Sequence, residues 1–519
     1  MRYLLLSLGL ASAMVCGPAL AQPDYDAEAI RAMEAFDSTG LTVAVSIDGE
    51  IVHQGVYGKA NEATDALITT DMLFPIASIS KAFTTTALAI LVDRGDVEWD
   101  APLQAYIPEF QMSDPWVSEN FTVRDALTHR SGLPLGAGDL LFVPDGKPSV
   151  EDIISALAFL EPSSGFRSEY AYDNLLYVVA GEVVTRVSGE DWSDFITEEI
   201  LKPVGMDSCA ADISRIRPDH AVVTGHERAA GAEEGVPIDE RQSFGPSMAA
   251  AGGIYCTTGD MMTWAQFWID GGVTATGERL ISEEQAEEVW SGVTPTNTRK
   301  VLKQSGLTQQ TVYGLGWVIQ DFDGTLMLSH GGGFPGVVSG FYILPKEKMA
   351  IFASANDYRA AARAFSHQIA DGLIGDQSFD FIGTWGNLFN EAIEEAVSAV
   401  SGAVTAPEGA ASPGVPFEQY AGLYRDPWYG DMTVHYGDDG LSIDMGRSEL
   451  LDGPLTHYDG DRFAAIWPNR TMNADAFVTF TMEDGQVIGA RMEAISELTD
   501  FSYDFHDLKF EKVPAESDQ

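Results

Sequence analysis

A chain of 519 residues, 45% of them hydrophobic, carries enough apolar mass for two or three domains with substantial cores, and so is not an acidic disordered polymer. Its 30 basic residues stand against 78 acidic ones, a formal charge of −48, which argues against nucleic acid and anionic membranes as partners and reads as a solvated acidic surface. Three cysteines are too few for a disulfide framework, and no His-Glu-x-x-His or other metal-ligand spacing occurs, so no metal site is expected.

The chain opens MRYLLLSLGLASAMVCGPALAQ: one arginine, an apolar run, then small residues that fit an Ala-x-Ala cleavage site after Ala21. The run is too short to span a bilayer, so residues 1–21 read as a signal peptide and the mature chain as secreted or periplasmic. Cys16 raises the alternative of a lipoprotein, which the preceding Ala13-Met14-Val15 fits poorly. No later stretch has about eighteen uninterrupted apolar residues, so no stable membrane insertion is expected. Export permits a bond between Cys209 and Cys256 without deciding whether they pair.

Residues 41–58 hold two β-rich runs joined at Asp48-Gly49, a hairpin signal. After Lys81, Phe83, Ala87, Ile90 and Leu91 recur at helical spacing, Leu88 and Val92 extend the apolar surface, and Gly95 fits a C-terminal cap; a helix apolar nearly all round is a buried one. Further helices are predicted over 175–189 and 260–272, and over 282–290, which opens with a Ser282-x-x-Gln285 capping box. Strands return at 325–329, 336–344 and 348–355. Strands at both ends with helices between predict an α+β domain over 22–385, its N-terminal hairpin joining the late strands in one antiparallel sheet. Residues 386–416 read as a short helix (386–400) and a linker, 417–513 as a separate all-β domain, barrel-like or sandwich-like, and 514–519 as a tail.

Three short motifs could carry chemistry. Ser78 and Lys81 lie at the mouth of the buried helix, one turn apart and on one face, so an amine can reach a hydroxyl. Serine needs an adjacent base, and lysine serves only if its pKa falls from about 10.4 toward 7, which costs roughly 4–5 kcal/mol. With ten lysines in the chain, about one Ser-x-x-Lys match is expected by chance, so a helix-start serine beside a solvated lysine is the plain alternative. Tyr172-x-Asn174 precedes an apolar helix; the phenol could share a proton with a lysine and the amide could orient a carbonyl, although a core aromatic and a helix cap would look the same. His330-Gly331-Gly332, followed by Gly333, allows close backbone approach and leaves N–H groups open to a ligand. Gly245-Pro-Ser247-Met-Ala lacks the second glycine of a nucleophile elbow, so Ser247 reads as structural or cleft-lining.

The order Ser-x-x-Lys, Tyr-x-Asn, His-x-Gly resembles the class C branch of the serine β-lactamase and penicillin-binding-protein superfamily, with its D-alanyl-D-alanine carboxypeptidase, D-aminopeptidase and esterase relatives. The resemblance runs through most of residues 25–360, in segments such as TVRDALTHRSGLP, ILKPVGMDS, AAGGIYCTTGDMMTW and YGLGWVI. It implies a β-lactamase/transpeptidase-like α+β fold with Ser78 as acylated nucleophile and Lys81 as its proton acceptor, needing no metal or organic cofactor. Tyr172 would be the partner base that activates the deacylating water, and Asn174 a substrate-amide contact. His330, Gly331 and Gly332 would line the cleft, with an oxyanion hole from the backbone N–H groups of Ser78 and Gly333. Class C β-lactamases usually carry Lys-Thr-Gly where this chain has His330, which puts efficient β-lactam hydrolysis in doubt. The acidity of the protein suggests partial protonation of that histidine, whose ordinary pKa is about 6.5. The C-terminal segment YAGLYRDPWYGDMTV resembles the lipocalin-like barrel appended to some members, expected to narrow the cleft or assist homo-oligomer formation, with a separate ligand pocket as the alternative. The implied activity is hydrolysis of a small peptide, amide or ester, most simply a short peptide with or without D-residues. An esterase and a slowly acylated penicillin-binding or sensor protein are the alternatives.

Overall fold

The computed structural model describes residues 23–232, 234–375, 377–403 and 405–514; the segment read as a signal peptide, with Cys16, and tail residues 515–519 lie outside the described residues. Helix α1 (Tyr25–Phe36) precedes the hairpin β1 (Gly40–Ile47) and β2 (Glu50–Asn61), turned by Asp48 and Gly49 at positive φ. After β3 (Ala66–Leu67) the chain leaves the sheet and returns to it as β4 (Thr294–Thr296), β5 (Thr311–Tyr313), β6 (Val318–Phe322), β7 (Thr325–Phe334), β8 (Val337–Leu344) and β9 (Met349–Ala355). The nine strands lie in the order β3-β2-β1-β9-β8-β7-β6-β5-β4, so the N-terminal hairpin does join the late strands in an antiparallel sheet. Strand β7 runs past the predicted 329 because the His-Gly-Gly-Gly segment stays in the ladder with β8, as far as Phe334 opposite Val337.

Helix α2 (Ser80–Arg94) is buried at every residue from Ser80 to Leu91 and stops at Gly95 in the left-handed conformation, as its all-round apolar pattern requires. It packs among α3 (Leu175–Ser188) and α4 (Thr258–Ile269), where Phe83 stacks on Trp264 with ring centroids 4.0 Å apart. Helices α5 (Ala361–Ile374) and α6 (Phe381–Ala403) cover the other side of the sheet. Helix α6 begins five residues before the predicted 386 because Phe381 and Ile382 pack into the apolar cluster of α1 and α5. Cys209 and Cys256 form a disulfide. Among the described residues no helix is long and apolar enough to cross a membrane.

Eight strands, β10 (Gly422–Asp426), β11 (Gly430–Gly437), β12 (Gly440–Asp444), β13 (Asp452–Asp459), β14 (Arg462–Ala465), β15 (Ala476–Glu483), β16 (Gln486–Ala494) and β17 (Phe510–Lys512), close into an antiparallel barrel. Closure removes exposed edges. Buried aromatics fill it, among them Tyr424, Phe463, Phe480 and Phe510. The barrel is docked on the unit built round the nine-stranded sheet by polar contacts such as Tyr358 to Asp500 (2.7 Å) and Ser448 to Asp145.

Candidate active site

Ser78 sits in a single turn of 3-10 helix (Ala77–Ile79) that feeds directly into α2. Ala77 holds a φ of 47°, a left-handed conformation that costs an L-residue about 1–2 kcal/mol and here turns the next side chain toward the cleft. The turn is backed by β7: a Cβ on Gly332 would lie 2.3 Å from the Ile76 carbonyl oxygen, so only glycine permits this approach. Gly332 therefore faces the turn that carries Ser78, whereas Ser78, His330, Gly331 and Gly333 line a cleft of about 1320 Å³ together with Tyr172 and Asn174. The three motifs, separated by up to 252 positions between Ser78 and His330, meet at this one place. Ser247 is not part of the cleft wall; it lies in a separate short turn, Pro246–Met248.

Lys81 is fully buried, and its Nζ lies 3.2 Å from Ser78 Oγ, 2.8 Å from Asn174 Oδ1 and 2.8 Å from the Ala251 carbonyl oxygen. Burial lowers its pKa from 10.5 to about 7, against an opposing pull from Asp139 and Asp173. About half of the amine is therefore uncharged at neutrality. A neutral amine has two N–H bonds and one lone pair. The carbonyl oxygens of Asn174 and Ala251 can only accept, so they take the two hydrogens. The lone pair is left facing the one partner that can donate, the Ser78 hydroxyl.

Tyr172 interacts with the Ser78 hydroxyl, and its ring centroid is 4.8 Å from Lys81 Nζ. Burial raises the phenol well above its usual range, only partly offset by Ser78, so it is neutral at rest. His129 packs 4.3 Å from the Tyr172 ring and is held neutral, well below its ordinary pKa, by burial and by Lys81. Asn174 uses both ends of its amide inside the protein: its Nδ2–H donates to Asp139 Oδ2 at 2.8 Å. The amide's second N–H is left for a substrate carbonyl.

The partial protonation expected of His330 does not hold. The ring is buried, and burial first, then Lys81, lowers its pKa to about 3. Its Nδ1 lies 2.7 Å from the Gly331 carbonyl, which can only accept, so Nδ1 carries the hydrogen and Nε2 accepts from the Tyr313 hydroxyl at 2.9 Å. The acidity of the whole protein acts at its surface and does not outweigh local desolvation. The basic side chains of the cleft are instead Arg228, Arg299, Arg359 and Arg363; Arg228 pairs with Asp37, and the other three are in no ion pair among the described residues. Arg299 is open to the solvent of the cleft yet enclosed by protein; repulsion from Arg363, with burial second, lowers it to about 10. The Arg363 guanidinium lies against Gly331, and its buried Nε has no hydrogen-bond partner.

Sequence reasoning missed Asp139, Asp173, the cleft arginines, Ser502 and Asp504. Burial holds Asp173 at about 7 and Asp504 at about 8. Lone acids inside apolar or aromatic runs, AGDLLF and FSYDF, were the signal available. Among the described residues no group of three or more His, Cys, Asp or Glu side chains could hold a metal ion.

A family model described as Beta-lactamase matches residues 28–375, and one described as a domain of unknown function, DUF3471, matches residues 406–512. The chain is 27% identical to the unguisins hydrolase ungD′ of Aspergillus campestris, over 79% of this chain and 77% of that one. It is 25% identical to the D-alanyl-D-alanine-carboxypeptidase/endopeptidase AmpH of Escherichia coli K12, over 68% of this chain and 90% of that one. Among solved structures, the octameric penicillin-binding protein homologue from Pyrococcus abyssi aligns over 94% of this chain and 99% of its own, with a TM-score of 0.60 at 18% identity, a likeness of fold.

Proposed function

The chain belongs to the beta-lactamase family, and from that premise we propose an exported serine hydrolase that cleaves an amide or ester through an acyl-enzyme on Ser78, acting on short peptides that include D-residues. One observation carries the reading: Lys81 is buried, inclined to the uncharged form, and bound by two acceptor-only carbonyls that leave its lone pair to Ser78. In acylation the amine takes the Ser78 proton as Oγ forms its bond to the substrate carbonyl. The oxyanion develops against the backbone N–H groups of Ser78 and Gly333, donors of a kind each worth about 10²–10³ in rate. Tyr172, neutral at rest, gives its proton to the leaving group and regains one from the Lys81 ammonium. In deacylation the same phenol and amine pass on the proton of the attacking water.

Peptide substrates are supported by the similarity to a carboxypeptidase/endopeptidase and by the cleft arginines, which suit the free carboxylate of a short peptide. Neutral His330 leaves the third motif without the cation that lysine gives the β-lactamases, which supports weak β-lactam turnover. An esterase of the same fold is the second reading, because this machinery does not distinguish amide from ester.

The test is Ser78→Ala in the full chain. Turnover of every accepted substrate, and the mass adduct with a fluorophosphonate, should vanish while the circular dichroism spectrum and Tm stay as in wild type. Undiminished turnover in the variant refutes the proposal. Rates on p-nitrophenyl esters against D- and L-amino-acid amides then separate esterase from peptidase, and a permanent adduct with no turnover would identify a sensor.

A further inference from the structure

A chain of hydrogen bonds leaves the active site and ends in the barrel. Asn174 Nδ2–H donates to Asp139 Oδ2 at 2.8 Å, and the Ser502 hydroxyl donates to the same oxygen at 2.9 Å. Ser502 lies in the 495–509 connection between β16 and β17. Two residues on, Asp504 accepts from the backbone N–H groups of Gly138 (2.6 Å) and Leu140 (2.9 Å), one on each side of Asp139. The two segments touch closely: at Gly136, with φ 74°, a Cβ would meet the Phe501 ring at 2.7 Å and the Phe501 carbonyl at 3.0 Å. Asp139, Ser502 and Asp504 are all buried, and none belongs to the three motifs.

A carboxamide can rotate by half a turn and exchange its oxygen for its NH2 with almost no change of shape. Asn174 turned over would point an N–H at Lys81, where it would compete with Ser78 for the lone pair. We propose that Asp139 and Ser502 are positioning residues: the barrel hydroxyl anchors the carboxyl, and the carboxyl holds the Asn174 amide with its carbonyl facing Lys81, which reserves the lysine lone pair for Ser78. The inference rests on the acyl-enzyme reading and deepens it. The barrel thereby supplies part of the active site rather than only a wall of the cleft.

The test uses the full chain and p-nitrophenyl acetate, with kcat, KM, the pH profile and Tm measured for Ser502→Ala, Ser502→Thr, Asp139→Leu and Asp139→Asn. Asn keeps an oxygen able to accept both hydrogen bonds; Leu does not. Ser502→Ala and Asp139→Leu should each lower kcat about tenfold with KM within about twofold, the loss of one organising hydrogen bond. The groups facing Lys81 are Asp139, Asp173, His129, His330, Tyr172 and Tyr177. With Asn174 turned over the uncharged amine is favoured, so the acid limb should move down by about half a unit as the plateau falls; burial, with Asp504 and Asp173 beside it, raises the Asp139 carboxyl well above its ordinary range, so no part of that shift is assigned to loss of an Asp139 charge. Ser502→Thr and Asp139→Asn should stay within about threefold of wild type. Wild-type kcat and limb in Ser502→Ala overturn the proposal. So does a loss in that variant that follows a lowered Tm while the limb stays in place. Asp139→Leu failing to fold leaves the decision with Ser502→Ala. A wild-type chain that never acylates Ser78, which the mass spectrum reports separately, overturns the acyl-enzyme reading instead.

Discussion

Lys81→Met removes one amine and little volume, and its consequences can be worked from the site. The lysine pKa falls from 10.5 to about 7 on folding, so burying the ammonium costs about 5 kcal/mol at low pH. Between those two values the unfolded chain binds more protons than the folded one, so stability rises with pH across the window and the cost is fully present below pH 7. Wild type should gain up to about 5 kcal/mol relative to Lys81→Met between pH 6.5 and 10, read from paired denaturant titrations. The donors lost to Asn174 and Ala251 shift the variant by an amount that does not depend on pH. Catalysis reports the same ionisation. Below pH 7 the neutral fraction falls tenfold per unit, so kcat/KM for a neutral ester should show an acid limb near 7. His330, at about 3, and His129, well below its ordinary pKa, cannot supply that limb. Asp173, at about 7, could, and Asp173→Asn decides between them: loss of its charge should move the limb down without abolishing it. Lys81→Met should lose about 10²–10⁴ in kcat/KM, and Lys81→Arg as much, since a guanidinium does not deprotonate here. A flat profile from pH 5.5 to 9, or an active Lys81→Arg, refutes the assignment of the base.

Arg363→Ala should raise KM about 10- to 150-fold for a peptide with a free C-terminal carboxylate and hardly change it for a p-nitrophenyl ester, measured as paired steady-state kinetics. Cys256→Ser opens a loop of 47 residues and should cost about 4 kcal/mol in guanidinium unfolding of the oxidised protein, with activity retained in the folded fraction. Leu88→Ala, at a fully buried position of α2, should cost about 2–5 kcal/mol by the same assay.

What the sequence revealed was what local pattern can encode. The hairpin, the buried helix with its Gly95 cap and the three motifs each announce themselves within about fifteen residues, and their convergence followed from the family resemblance. Partnerships were hidden. Gln285 looked like half of a capping box; Ser282 does accept from its N–H at 3.2 Å, but the Gln285 carbonyl is occupied by Trp99 Nε1–H at 2.7 Å, from 186 positions away. Gly383 and Gly386 weaken the helical signal at the start of α6, and packing against α1 restores it. The charge of His330 was misjudged because composition reports the surface, whereas the ring answers to its own desolvation. Ser502 among the aromatics of FSYDF signals burial, and nothing local says that its partner is Asp139, 363 positions earlier.

The site holds Lys81, Tyr172, His129 and His330 toward their uncharged forms, while arginines line the cleft wall of a protein that carries −48 overall. These two scales of charge act on a carboxylate-bearing substrate with opposite sign, and salt separates them. The surface repels it over a Debye length of about 30 Å at 0.01 M salt and about 10 Å at 0.1 M. The arginines attract it only at contact, within the cleft, where mobile ions screen less. Raising salt tenfold over that range should therefore increase kcat/KM for the carboxylate peptide severalfold, by relieving repulsion on approach, and leave the corresponding neutral ester unchanged. Stopped-flow acylation under kcat/KM conditions measures it directly. A rate that falls with salt for the carboxylate peptide would mean that the cleft cations govern encounter at long range, and the division between surface and cleft drawn here would fail.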